Sequence, residues 1–197
     1  MREESNLREV LELKPQFIGF IHHSASPRHV SEEQLRTLLP MVPNDIDKVL
    51  VTVDLPVKEL LRLLTEFPFE YVQLHGNETE DYADTLPSHV RTIKVVSVSD
   101  LRDIEVANRT TWPDMLLFDT KGKLAGGNGV HFVWNLMASY IGKVPFMLSG
   151  GIGPKDIYEI NDLNFPEMTG VDINSQFETE PGKKDVALLK TFKQALL

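Results

Sequence analysis

Cysteine is missing from the sequence altogether. Within these residues there is therefore no disulfide, no thiolate metal site and no cysteine nucleophile. Basic charge is also short. The formal net charge is −9, which argues against nonspecific nucleic-acid binding, since that needs a basic surface. A local phosphate site survives this argument, because backbone N–H groups and a cation or two suffice for it. No apolar run approaches the ~20 residues of a membrane span, and no signal-peptide pattern precedes the acidic start. His22, His23 and His29 crowd one loop, but none has an H-x-x-x-H or carboxylate companion at ligand spacing. No metal is expected there. What is left is a cytoplasmic enzyme or binding protein, long enough for one domain with a sizeable core.

Short apolar runs alternate with helical patterns along the chain. The spacing of Leu7, Val10, Leu11 and Lys14 predicts a helix over 5–14, stopped by Pro15. Strands are predicted at Phe17–Ile21, Val49–Val53, Tyr71–Leu74, Thr92–Val96, Met115–Phe118, Pro145–Leu148 and Gly170–Ile173. A capping-box pattern at Ser31 and Gln34 opens the helix that runs through Leu39. Asp54 and Pro56 start the helix at Val57–Phe67. An acidic helix follows at Glu78–Leu86 and another after Asp100, with more at His131–Tyr140, Lys155–Asn161 and Lys184–Leu196. These are seven strand–helix units behind an orphan helix. Apolar strands that alternate with helices belong in a parallel sheet covered on both faces. Open doubly wound sheets also alternate this way, but rarely reach this count at this length, whereas a (β/α)8 barrel closes with eight strands. The α/β fold class is therefore read as a TIM barrel, one domain over residues 1–197. Strand 1 is missing in front of the orphan helix, so the chain reads as truncated at its N-terminus.

The chemistry centres on 115–134, MLLFDTKGKLAGGNGVHFVW. A buried strand ends in Asp119, and a loop with Gly122, Gly126, Gly127 and Gly129 separates it from the next helix. A polar residue at the C-terminal end of a barrel strand points into the active-site mouth. Asp after a strand can also merely cap the next helix, but here that helix starts about a dozen residues later. LSGGIGP (148–154) and VDINSQFE (171–178) occupy the loops after the seventh and eighth strands of a full barrel, where such barrels build phosphate sites. Glycines let the backbone approach a ligand there, and a helix N-terminus attracts a dianion. Arg28 in SASPRH has the planar fork that suits a substrate carboxylate, although a solvated surface arginine reads the same way. His75 in QLHG follows a strand and lines the mouth on one reading. On the other, it and Gln73 are core polar residues with local partners.

Taken together, GFIHHSASPRHVS, VQLHGNE, LLFDTKGKLAGGNGVHFVW, LSGGIGP, VDINSQFE and EPGKKD resemble the phosphoribosylanthranilate isomerase family of tryptophan biosynthesis over nearly the whole chain. The order QLHG, DTK…GG-G-x-x-F-x-W and LSGGI-x-P is specific to that family among phosphate-binding barrels. The resemblance implies an intramolecular oxidoreductase of the aldose–ketose isomerase kind. Its reaction converts N-(5-phosphoribosyl)anthranilate to 1-(2-carboxyphenylamino)-1-deoxyribulose 5-phosphate by an Amadori rearrangement. It implies Asp119 as general acid and Arg28 at the anthranilate carboxylate, with Gln73 and His75 also on the substrate. Gly150, Gly151, Asn174, Ser175 and Gln176 would form the phosphate cradle. No metal or organic cofactor is implied, and the partner is a phosphorylated small molecule rather than a nucleic acid or a membrane.

Two departures accompany the resemblance. The family has Ser-Gly where this chain has Ser175-Gln176, so a side chain either crowds the phosphate loop or points away from it. The family also opens with a strand ending in Cys-Gly-Met, whose cysteine is the general base, and the sequence starts as if from that methionine. Severely reduced activity is expected of the chain as given. The alternatives are a non-catalytic barrel that binds a phosphorylated ligand or a partner protein, and a different sugar-phosphate isomerase. Without strand 1, the strands at Phe17–Ile21 and Gly170–Ile173 lack a shared neighbour. That predicts distortion near the gap or association across it, for which a homodimer is one form.

Overall fold

The computed structural model describes residues 1–120 and 134–196. Its helices are α1 (Glu4–Leu11), α2 (Glu32–Leu38), α3 (Val57–Glu66), α4 (Glu80–Ala83), α5 (Leu101–Ala107), α6 (Ile157–Asp162) and α7 (Val186–Ala195). Its strands are β1 (Phe17–Ile21), β2 (Asp47–Thr52), β3 (Tyr71–Leu74), β4 (Arg91–Val98), β5 (Met115–Thr120), β6 (Phe146–Ser149) and β7 (Met168–Val171), with the short pair β8 (Glu178–Glu180) and β9 (Lys183–Lys184). The first seven strands make one sheet in chain order, ended by β1 and β7. Its ladders β1–β2–β3 and β4–β5–β6–β7 are parallel. This is the strand–helix repeat read from the sequence, with α1 standing in front of it.

The residues group into two compact units, Met1–Thr92 with Glu178–Lys190 and Ile93–Phe177 with Thr191–Leu197. In the first, α3 buries Leu60, Leu63 and Leu64, the i, i+3, i+4 stripe that a helix turns to a core. The capping box at Ser31 forms as expected: its hydroxyl accepts from Gln34 N–H, and the Gln34 side chain accepts from Ser31 N–H. α1 stops at Leu11 rather than Lys14. The residue before a proline is pushed out of the helical region, and Lys14 takes a left-handed turn with φ 48°.

In the second unit the packing under β5 and β6 is aromatic. Phe118, Tyr140 and Phe146 meet edge to face at centroid distances of 5.1–5.3 Å, and the buried Tyr140 hydroxyl donates to the Val144 carbonyl at 2.8 Å. Edge-to-face rings of this kind stabilise by about 0.5–1.5 kcal/mol each beyond their buried area. Because side chains alternate along a strand, burying Phe118 turns the next residue, Asp119, to the opposite face. Asp100 caps α5 through a second capping box.

Several elements depart from expectation. β7 begins at Met168, earlier than Gly170, and pairs with β6 through a register shift at Phe146/Met147. α4 begins at Glu80, because the Glu78 carboxylate is turned back onto the preceding loop. The helix expected at Lys184 begins at Val186, behind the antiparallel β8–β9 hairpin, which the sequence reading did not include. The start of the helix at His131 and the glycines Gly122, Gly126, Gly127 and Gly129 lie outside the described residues.

Candidate active site

In the second unit Asp119 ends β5, with Ser149 of β6 as its register partner. Ser149 in turn donates to Asp172 Oδ2 at 3.2 Å, while Asp172 N–H donates to the Leu148 carbonyl at 2.8 Å. Register partners on parallel strands share a face, so Asp119 and Ser149 sit together on the face away from the aromatic cluster. Asp172 was not among the residues singled out from sequence. Its signal was the same as that of Asp119, a carboxylate just past an apolar strand.

The two glycine-bearing loops of this unit meet. A methyl placed on Gly153 would touch Cβ and Cγ of Gln176 at 3.7 Å, so the Gln176 stem lies along Gly153. Gly150 and Gly151 have φ of 89° and 67°, a backbone region that glycine enters without steric cost. Gly153 N–H is taken by the Asp156 carboxylate at 2.7 Å. Among the described residues, the N–H groups of Gly151, Ser175 and Gln176 have no acceptor. Exposed amides without protein partners are what an anion uses.

In the first unit the QLHG segment is held from below. Glu78, 7% exposed, accepts from Asp54 N–H at 2.8 Å and Gly76 N–H at 2.9 Å. Asp54 accepts from Asn77 N–H at 2.7 Å, and a Cβ on Gly76 would fall 2.3 Å from the Asp54 carboxylate and 2.7 Å from its backbone nitrogen. Tyr82 donates to the Leu55 carbonyl at 2.7 Å, and burial, with the charges of Glu78 and Asp54, pushes its phenol up to about 12. The loops after β2 and β3 are thereby locked to each other, and His75 rides on them, exposed. Buried Gln73 reaches His75 Nδ1 at 3.4 Å. Glu78, which sequence reasoning placed in a helix, is the residue that fixes this corner.

Arg28 lies in the loop after β1, and its guanidinium is bound side-on by Glu178 of β8. Nε approaches Oε2 at 2.8 Å and Oε1 at 3.1 Å, and Nη2 approaches Oε2 at 2.6 Å. It is thus neither a solvated surface arginine nor an unconstrained one. Burial would push the Glu178 carboxyl up, but hydrogen bonds and charge from Arg28 and Lys184 outweigh it and hold the group below the usual carboxylate range. Alongside, the Met1 α-amine donates to the Gly19 carbonyl of β1 at 3.3 Å, and burial lowers its pKa to about 5. His22 Nδ1 lies 3.0 Å from the Val30 carbonyl, and no group of His, Asp and Glu side chains among the described residues is arranged to hold a metal ion.

A parallel strand–helix repeat, with a carboxylate at the end of β5 and acceptor-free amides in the loops after β6 and β7, marks the chain as an α/β protein of the strand–helix repeat class. Comparison with known proteins narrows this class. The family model "PRAI: N-(5'phosphoribosyl)anthranilate (PRA) isomerase" matches residues 1–195. The N-(5'-phosphoribosyl)anthranilate isomerase of Parabacteroides distasonis is 36% identical over 203 residues, covering 100% of this chain and 90% of its own. A solved structure of the dimeric Thermotoga maritima phosphoribosylanthranilate isomerase, generated as monomers, is 27% identical with a TM-score of 0.84, covering 99% of this chain and 94% of its own. A phosphoribosyl anthranilate isomerase in complex with reduced 1-(o-carboxyphenylamino)-1-deoxyribulose 5-phosphate has the same identity and coverage and a TM-score of 0.85. The chain belongs to the N-(5'-phosphoribosyl)anthranilate isomerase family. Its activity class is that of an isomerase of tryptophan biosynthesis, and no described helix is long and apolar enough to cross a membrane.

Proposed function

We propose that Asp119 is the general acid of an Amadori rearrangement of N-(5-phosphoribosyl)anthranilate. Its proton goes to the furanose ring oxygen, the C1′–O bond breaks, and the nitrogen lone pair forms a Schiff base. Loss of the C2′ proton then gives an enolamine, which tautomerises to the ketone. Arg28 takes the anthranilate carboxylate through its planar fork, and Gln73 orients His75 toward the substrate. The 5-phosphate sits on the amides around Gly150, Gly151, Asn174, Ser175 and Gln176. The observation that carries this reading is the set of acceptor-free N–H groups at Gly151, Ser175 and Gln176. Ligands like the one in the solved complex, a carboxyphenylamino sugar phosphate, ask for an anion site at each end.

The two units form one domain on this reading, because their boundary cuts β4 between Thr92 and Ile93 rather than a linker. A cytoplasmic location and a homodimer like that of the Thermotoga relative belong to the same proposal. The family's cysteine base has no counterpart among the 197 residues. A chain of these residues alone therefore opens the ring and stalls before C2′ deprotonation. The test is turnover of the fluorescent anthranilate substrate by this chain and by one extended upstream through a Lys-x-Cys-Gly segment. The extended chain is expected to exceed the other by at least ~10²-fold in kcat/KM. Equal rates defeat the assignment of the base, and no turnover by either defeats the substrate.

A further inference from the structure

Glu178 is the most heavily engaged side chain of the first unit that the proposed chemistry leaves unused. Its side chain is 3% exposed. Its two oxygens receive Arg28 Nε and Nη2, Lys184 Nζ at 3.2 Å and Gly182 N–H at 3.2 Å. The hairpin that carries it is itself anchored. Asn6 of α1 grips the Lys184 backbone on both sides, accepting its N–H at 2.7 Å and donating to its carbonyl at 2.9 Å. Gly182, with φ 88°, lies where a Cβ would strike the Arg2 stem at 2.5 Å. Arg2 in turn donates to the Pro27 carbonyl, next to Arg28, at 2.9 Å.

A guanidinium has two edges that can each take a carboxylate bidentately, one of Nε with Nη2 and one of Nη1 with Nη2. Glu178 occupies the first, and Nη1 has no acceptor among the described residues. The geometry points to Glu178 as a positioning residue. By holding the side-on edge of Arg28 it aims the remaining edge as a fixed fork for the aromatic carboxylate of the substrate, and so sets specificity for the carboxylated aniline. Charge allows this. Two carboxylates on one guanidinium would repel, but Arg28, Glu178 and Lys184 sum to +1, so an arriving carboxylate meets a net positive group. Fixing the fork in advance removes rotamer entropy that would otherwise be lost on binding. The inference rests on the placement of Arg28 at the substrate carboxylate under the proposed function.

The experiment measures binding, so it does not depend on a catalytic base. Reduced 1-(o-carboxyphenylamino)-1-deoxyribulose 5-phosphate and its analogue without the carboxyl group are titrated into the full chain and into the E178Q, R28Q and E178Q/R28Q variants. E178Q is expected to weaken the carboxylated ligand by roughly tenfold and R28Q by more, with the double variant no weaker than R28Q. Both single variants should leave the carboxyl-free analogue unchanged. Equal weakening of both ligands by E178Q makes Glu178 a structural clasp only and overturns the proposal. So does unchanged or tighter binding of the carboxylated ligand. If R28Q fails to weaken the carboxylated ligand, the placement of Arg28 is wrong and the proposal falls with it. Should E178Q fail to fold, E178D is used. It keeps the charge on a shorter stem, and a selective loss against the carboxylated ligand alone supports the proposal, while any other pattern overturns it.

Discussion

Asp119 owes its place to Phe118. The aromatic cluster takes one face of β5, and the alternation of the strand delivers the carboxylate to the other, next to Ser149. In a chain carrying the Lys-x-Cys-Gly segment ahead of Met1, Asp119→Asn is expected to lower kcat by ~10²–10⁴-fold, with ligand affinity kept within several-fold. Steady-state kinetics beside a ligand titration check it, and a near-normal kcat removes the general acid. One other group at this scale carries a pH signature. Burial lowers His29 from its ordinary value, helped by the charges of His22, Arg2 and His23. A base whose folded pKa is depressed takes up its proton only in the unfolded chain, so stability is highest above the unfolded pKa and declines as pH falls. For His29 the decline sets in below 6.5. Urea unfolding at about pH 8.5, 7 and 5.5 should show this slope, and His29→Gln should remove it.

Among the elements, the corner between β2 and β3 is the most constrained. Glu78 and Asp54 satisfy the backbone of each other's loops, and Gly76 fits only because it lacks a Cβ. Gly76→Ala would press against both the Asp54 carboxylate and the Asp54 backbone nitrogen, so no side-chain rotation relieves it. We expect a loss of about 1–3 kcal/mol, typical of overpacking, together with weaker binding of the carboxylated ligand because His75 moves with the loop. Thermal unfolding with a parallel titration decides this. A variant as stable as the parent would mean that the loop yields freely.

For the whole molecule, the exposed amides at Gly151, Ser175 and Gln176 predict a linkage between phosphate and folding. An anion that binds only the native state raises Tm by mass action, by roughly 2.7 kcal/mol of stability at a hundred times its Kd. Millimolar phosphate or sulfate should raise Tm above a chloride control of equal ionic strength, and no difference counts against the cradle. Among the described residues the sheet ends on the strands expected from the sequence. β1 and β7 are its terminal strands, and β7 is half-exposed along its length whereas β6 is buried throughout.

The sequence by itself determined the elements and their repeat. Short apolar runs and helical stripes are local signals, and so is the capping box at Ser31, which formed as read. β1 and β3 fall at Phe17–Ile21 and Tyr71–Leu74 as expected. The family motifs also located Asp119, Arg28 and the glycine loops without any structure. Only the tertiary structure decided what holds them. The Arg28–Glu178 contact spans 150 residues and Asn6–Lys184 spans 178. The Pro181-Gly182 turn was a visible hint of the β8–β9 hairpin, but nothing local said what the hairpin would grip. Glu78 read as the start of a helix because a carboxylate there has the right propensity, and the amides of Asp54 and Gly76 took it instead. The physical reason is common to these cases. Propensity and periodicity are properties of neighbours along the chain, whereas the partner of a buried charge is whichever group the fold carries within about 3 Å of it.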